Sequence, residues 1–271
     1  MSKPENMTAQ ELYLYNHIHY HHFVTACRLL IFVSFLIIWE ISAHFGWIDR
    51  FFFSSPIGVV QNIYTMLLHN NLLGHIFVTL AETLLSFAIV TCGSFLLATV
   101  LWHSEYVSKI LDPYLVILNS LPKSALAPLF LVWFGTGFAT VIICGIFVAF
   151  FSSTISLYTA FLQTDKDKST LIYTLGGNKK DVFHKIVVPS SIPHLVSLSK
   201  VNIGLCLVGV IIGEFICSRY GLGHLIIYGS QVFKLDMVIS SIVILCGIAF
   251  GLYKIVQSLE HREKKKNPSL P

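Results

Sequence analysis

Glu40, Glu82, Lys123 and Glu214 stand singly within long apolar runs. A charge at the centre of a bilayer costs about 2.5–3.5 kcal/mol on insertion scales, so such residues face a protein interior or water. Glu82, Lys123 and Glu214 are therefore candidate pathway residues, with Glu40 beside them. Two other readings stay open: Glu40 and Glu214 can sit near interfaces, or the acids can pair across helices. Lys123 follows Pro122 in a proline-rich run. Discontinuous helices often line transport sites, so its ammonium can meet an anionic solute or neutralise Glu82. His17, His19, His21 and His22 form a second cluster. Their spacing is not that of H-E-x-x-H, and no Cys or carboxylate is placed to complete a tetrahedral set, so no metal site is expected. With Tyr13, Tyr15 and Tyr20 they read as the rings of an interfacial helix. The chain carries no G-x4-G-K-[ST], so ATP chemistry, if needed, belongs to a partner. Cys27, Cys92, Cys144, Cys206, Cys217 and Cys246 lie singly in apolar stretches and read as small core hydrophobes.

The elements that must carry these residues follow from composition. Of 271 residues, 55% are hydrophobic and only 12% charged, against the roughly 25% charged that a water-soluble domain uses. Intrinsic disorder and a small disulfide-stapled fold are excluded on the same grounds. The net charge of +4 is clustered and leaves no nucleic-acid footprint. The stretch Met1 to His22 is polar, so no cleavable signal peptide is visible.

A bilayer core needs about 20 apolar residues per helix, and six stretches supply them, near 26–46, 76–102, 112–134, 138–162, 195–217 and 236–255. The expected fold is all-α and polytopic. It has a segment 1–25, a transmembrane domain 26–258 with a long inner loop 163–193, and a basic tail 259–271. Pro113, Pro122 and Pro128 should break the third stretch, which in lipid survives only where neighbours satisfy the freed backbone; that stretch is expected in the interior. Cytoplasmic loops retain Lys and Arg. With the N-terminus inside, the inner side receives Lys3, Arg28, Lys109, Lys166, Lys168, Lys179, Lys180, Lys185, Lys254, Arg262, Lys264, Lys265 and Lys266, and the outer side only Arg50, Arg219 and Lys234. Both termini should be cytoplasmic. On the outer side, Ser55 and Pro56 suit the start of an amphipathic helix carrying Ile57, Val60, Tyr64, Leu67 and Leu68. Gly204, Gly209, Gly213, Gly247 and Gly251 suit close helix approach, and Gly221-Leu222-Gly223 an outer turn.

The inner loop reads as a helix–glycine–helix elbow. Ser169 can cap a short helix whose Leu171, Ile172 and Leu175 share a face, and Gly176-Gly177 can stop it. Asn178 can cap a second helix, with Asp181 against its dipole, running to Val188 before Pro189. Five lysines (Lys166, Lys168, Lys179, Lys180 and Lys185) ring the elbow.

These residues resemble the integral membrane permeases of bacterial ABC importers, whose cytoplasmic loop carries E-A-A-x3-G-x9-I-x-L-P. Gly176 is followed after nine residues by Ile186-Val187-Val188-Pro189. Trp39-Glu40, Ser54-Ser55-Pro56, Leu121-Pro122, Ala127-Pro128-Leu129, Trp133-Phe134-Gly135, Pro193, Glu214 and Gly221-Leu222-Gly223 are similar to the nitrate/sulfonate/taurine subgroup. The chain departs at the E-A-A positions, which fall on Thr170-Leu171-Ile172 and imply a different or weaker ATPase contact. Lys123 replaces an apolar or small residue, and Glu82 a basic or polar one. The resemblance implies a type I importer half in the bacterial inner membrane: a homodimer of permeases, a cytoplasmic ABC ATPase that binds the ATP, and an extracytoplasmic solute-binding protein. It implies no cofactor and no enzyme. Thr170, Leu171, Ile172, Leu175, Gly176, Gly177, Ile186, Val188 and Pro189 would then couple to the ATPase. The solute stays open among sulfonates, nitrate, taurine and vitamin precursors. An ion-coupled secondary transporter using Glu82 and Glu214, or a membrane metalloenzyme using the N-terminal histidines, are the alternatives.

Overall fold

The computed structural model describes the backbone of residues 9–266 and the side chains of Tyr20 and residues 23–258. The His17, His19, His21 and His22 side chains and those of the basic tail lie outside the described residues. The helices are α1 (Ala9–His44), α2 (Arg50–Phe53), α3 (Pro56–His69), α4 (Leu72–His103), α5 (Glu105–Ser120), α6 (Lys123–Phe134), α7 (Phe138–Leu162), α8 (Lys166–Thr174) and α9 (Lys179–Val182). A π-helical turn, Phe183–Val187, leads into α10 (Val188–Cys217), followed by α11 (Leu222–Gln231) and α12 (Leu235–Lys266). No strand occurs among the described residues. Within α1, α4, α7, α10 and α12 lie five stretches long and apolar enough to cross a bilayer, and α5 with α6 makes a sixth, bent by 96°.

That bend corrects the expectation for the third stretch. Only Pro122 breaks it, with Leu121 and Pro122 both extended, because the residue before a proline is pushed out of the helical region. Pro113 and Pro128 sit inside α5 and α6. The stretch is also peripheral within this chain rather than interior: Tyr114, Val116, Ile117, Val132 and Trp133 are exposed.

The interior belongs to α4, α7 and α10. Thr79, Thr83, Ser86, Val90, Ser94, Ala98 and Leu101 recur every three or four residues along α4 and are all buried. Without a water-driven hydrophobic force, helices in lipid associate by close packing of small residues and by interhelical hydrogen bonds. Both devices occur here. At Gly209 an added Cβ would lie 2.8 Å from the Cys144 carbonyl of α7, and at Gly213 2.9 Å from Val141 Cα. Ser153 donates to Ser94 at 3.0 Å, and Asn202 donates to Ser153 at 2.8 Å, linking all three helices. Gly204, Gly247 and Gly251, expected to do the same, face open space within this chain.

Ser55 caps α3 as expected, its hydroxyl accepting the Gly58 N–H at 3.2 Å with Pro56 first in the helix. The face that docks on the bundle is Val59, Ile63 and Met66, while Ile57, Val60, Tyr64, Leu67 and Leu68 remain exposed.

Candidate functional site

The elbow starts two residues past α7. Its first cap is Asp165, not Ser169: the Asp165 carboxylate accepts the Asp167 N–H at 2.9 Å, and the Ser169 hydroxyl merely donates back to the Asp165 carbonyl. At the other end Gly176 takes φ +84°. Its N–H bonds the Tyr173 carbonyl at 3.0 Å, and the Gly177 N–H bonds that of Ile172 at 2.9 Å. Those two bonds are a Schellman stop, which satisfies helix-end carbonyls only if one residue is left-handed. Asn178 then accepts from Lys180 N at 2.9 Å and Asp181 N at 3.1 Å, while the Asp181 carboxylate accepts from Asn178 N at 2.9 Å. This is a reciprocal capping box. The Asn178 N–H, aided by Lys185, holds the Asp181 carboxyl below the usual carboxylate range.

Pro189 does not end the second helix as expected. The backbone runs without a break through the π-helical turn into α10, where Pro189 sits in the first turn. The turn shifts bonding by one residue, the Val188 N–H reaching Phe183, so the donor that proline lacks falls where no partner is required.

The predicted coupling residues divide between two jobs. Leu171, 58% exposed, and Leu175, 75% exposed, point away from the protein with Thr170. Ile172 and Val188 instead pack against a buried cluster of Ala98, Leu157, Phe161, Val182, Phe183 and Val187, and Ile186 is half-buried. Lys179 ties the elbow to the end of α4: its ammonium donates to the His103 carbonyl at 2.8 Å and lies 5.2 Å from the Trp102 ring centroid.

At the face opposite the elbow, Glu214 is fully enclosed. Thr79 donates to one of its oxygens at 2.6 Å and the Gly223 N–H to the other at 2.5 Å. Thr79 in turn accepts the Leu222 N–H at 2.9 Å. His75 Nδ1 accepts the Gly221 N–H at 3.0 Å in one tautomer and donates to the Gly221 carbonyl, 3.1 Å away, in the other. Gly221 has φ +104°, and a Cβ there would overlap the Glu214 carboxylate. The Gly221-Leu222-Gly223 turn is thus wrapped around one carboxylate, joining α4, α10 and α11.

Glu82 lies beside Glu214 but is treated differently. It is 1% exposed, and no N–H or hydroxyl donor reaches either of its oxygens among the described residues. It lines a cavity of about 480 Å³ with Val78, Thr136, Phe138, Arg219 and Tyr220. Lys123 opens α6 at the break and donates to Asn119 at 3.3 Å; it forms no ion pair with Glu82. Glu40 accepts the Ile57 N–H at 3.1 Å and lies 3.7 Å from the Arg50 guanidinium, a second anchor for the start of α3. Sequence reasoning missed His75, Thr79 and the Ser94–Ser153–Asn202 layer. The signal available for Thr79 and Ser94 was the run of small and hydroxyl residues at helical spacing in α4.

Rods of membrane length packed through small residues, with a folded elbow at one end of the bundle, have the build of a polytopic membrane permease. The chain belongs to the family of binding-protein-dependent transport system inner membrane components, which it matches over residues 89–263. It is 30% identical over 235 residues to a probable ABC transporter permease protein of Haemophilus influenzae, covering 86% of this chain and 95% of that one. It is likewise 30% identical over 196 residues to the formylaminopyrimidine transport permease protein ThiX of Halalkalibacterium halodurans, covering 72% and 77%. Among solved structures, an inward-facing MetNI methionine ABC transporter superposes with a TM-score of 0.63 at 16% identity, covering 70% of this chain and 95% of that chain. The protein is therefore an ABC importer permease subunit, a multi-pass membrane protein and not an enzyme.

Proposed function

We propose that two copies of this chain form the translocation pathway of a type I importer, and that a separate ATPase binds the ATP and seats on the elbow. The observation that carries this reading is the elbow itself. A loop that only joined two spans would need neither a Schellman stop nor a capping box, nor two exposed leucines amid five lysines. Thr170, Leu171 and Leu175 would touch the ATPase; Gly176 and Gly177 would set the bend; Ile172, Ile186 and Val188 would seat it on the bundle, and Pro189 would lie in the exposed first turn of α10. The distribution of Lys and Arg supports a cytoplasmic elbow and cytoplasmic termini in a bacterial cell, with the Glu214 turn facing outward, where a solute-binding protein would dock.

For the solute, a small nitrogen heterocycle of the vitamin-precursor kind is favoured over sulfonate, taurine or nitrate. Two observations support it: the relative named for formylaminopyrimidine, and the cavity lined by both an acid, Glu82, and a base, Arg219. A lining with both an acid and a base suits a ring that carries N–H donors and an acceptor. Glu82 would take the donors, Lys123 would line the pathway at the broken span, and Glu214 would hold the wall in shape.

Co-purification tests the first claim. A cysteine replacing Leu175 should cross-link to the ATPase during turnover, and a complex that never forms would overturn it. A thermal-shift screen of the solute-binding protein that stimulates the ATPase activity of the complex, using an aminopyrimidine, riboflavin, taurine and nitrate, tests the second. Stabilisation by taurine or nitrate alone would overturn the heterocycle.

A further inference from the structure

The elbow is joined to the three interior helices in unequal ways. Its second half runs by unbroken backbone into α10, so any displacement of the elbow reaches α10 directly. Helix α4 has no such continuity. It meets the elbow only through side chains, yet its far end carries His75, Thr79 and Glu82, the residues of the outward turn and cavity.

The contact between them has an apolar part and a directional part. Phe183 of the π-helical turn lies 5.1 Å from the Trp102 ring and 5.4 Å from the His103 ring, and 5.7 Å from Phe161 of α7. Apolar contact resists separation but is non-directional, so it allows one surface to slide over another. Lys179 supplies direction. Its ammonium donates to the last carbonyl of α4, a group left without a helical partner, and sits over the face of Trp102, where a cation is attracted by the ring quadrupole. A single lysine thus adds two directional contacts to the apolar packing between α4 and the elbow.

We infer that Trp102 and Lys179 are positioning residues, forming the joint that makes α4 follow the elbow when the ATPase moves it. This rests on the importer reading above. When the elbow is displaced, α10 moves by covalent continuity and α4 by this joint, so the two helices that meet at Glu214 shift together. With the joint loosened, α10 would move and α4 would lag.

The test uses the permease–ATPase complex in lipid nanodiscs, with a spin-labelled unnatural amino acid at Leu73, an exposed position on the far end of α4. Distances between the labels of the two copies are measured without nucleotide and after trapping with ATP and vanadate. The unaltered joint should give a nucleotide-driven shift. Lys179→Met, which keeps the apolar stem, and Trp102→Leu should each lose it while the complex stays assembled and hydrolyses ATP. Lys179→Arg, which keeps a donor and a cation for the ring, should retain it. A shift in Lys179→Met equal to that of the unaltered joint overturns the inference and leaves the importer reading intact. Failure of the unaltered chain to hold an ATPase would instead overturn the importer reading.

Discussion

The turn of the elbow is made by residues within a turn or two of one another, Gly177 bonding Ile172 and Asn178 exchanging bonds with Asp181. The turn at the opposite face is made by Thr79 reaching Glu214, 135 positions later, and His75 reaching Gly221, 146 positions later. The first is exposed and self-contained. The second is buried and exists only once α4 and α10 have packed. On the importer reading proposed above, local structure stands where a partner would touch the chain and long-range structure where the chain is enclosed.

The contrast implies an order of sensitivities. Gly221→Val should be the most damaging single change, because it combines a positive φ with a Cβ inside the space of the Glu214 carboxylate; about 2–6 kcal/mol from strain and overpacking together is expected, read as loss of the monodisperse peak in detergent after mild heating. Glu214→Ala comes next, leaving the Gly223 N–H unpaired at about 1–3 kcal/mol and the Thr79 hydroxyl with only the His75 carbonyl, 3.2 Å away, to donate to. Glu214→Gln, which keeps one acceptor, should recover part of that loss in the same melting assay. If Ala and Gln melt alike, the carboxylate is not what holds the turn.

Gly176→Val should behave oppositely. No atom lies within 4 Å of the added Cβ, so the cost is the left-handed backbone alone, about 1–3 kcal/mol, confined to an exposed elbow. Insertion and melting should barely change while uptake is abolished; normal uptake would remove the elbow from the coupling path. The smallest effect is that of acid. The folded Asp181 carboxyl is held below its unfolded value, so the capping box contributes fully above the ordinary carboxylate range and is lost as pH falls through the lowered folded value. Hydrogen exchange of the Lys180 and Asp181 amides should accelerate only there, with the Glu214 turn unaffected.

How much the sequence disclosed follows the same division. Gly176, Asn178 and Asp181 were legible because a stop and a cap are set by neighbours in the chain, as was Ser55-Pro56 at α3. The misplaced cap came from the same kind of signal: Asp165 and Ser169 both suit a helix start, and Asp165 prevails because α7 ends only at Leu162. Pro113, Pro122 and Pro128 look alike in sequence, yet only the one preceded by an extended residue breaks its helix. The exposed setting of α5 and α6 was illegible, since apolar residues suit lipid and protein interiors equally. Glu82 and Glu214 were visible as buried acids, but nothing local distinguishes the one that Thr79 and Gly223 reach from the one that no N–H or hydroxyl reaches. That difference is made by Thr79 and Gly223, which no spacing rule connects to them.

The Gly223 N–H, donated into a sealed carboxylate, also makes a clock. It can trade its hydrogen for deuterium only when the turn around Glu214 lifts away from α4 and α10. Labelling that one amide during transport would therefore count how often this turn opens, without any probe attached to the protein.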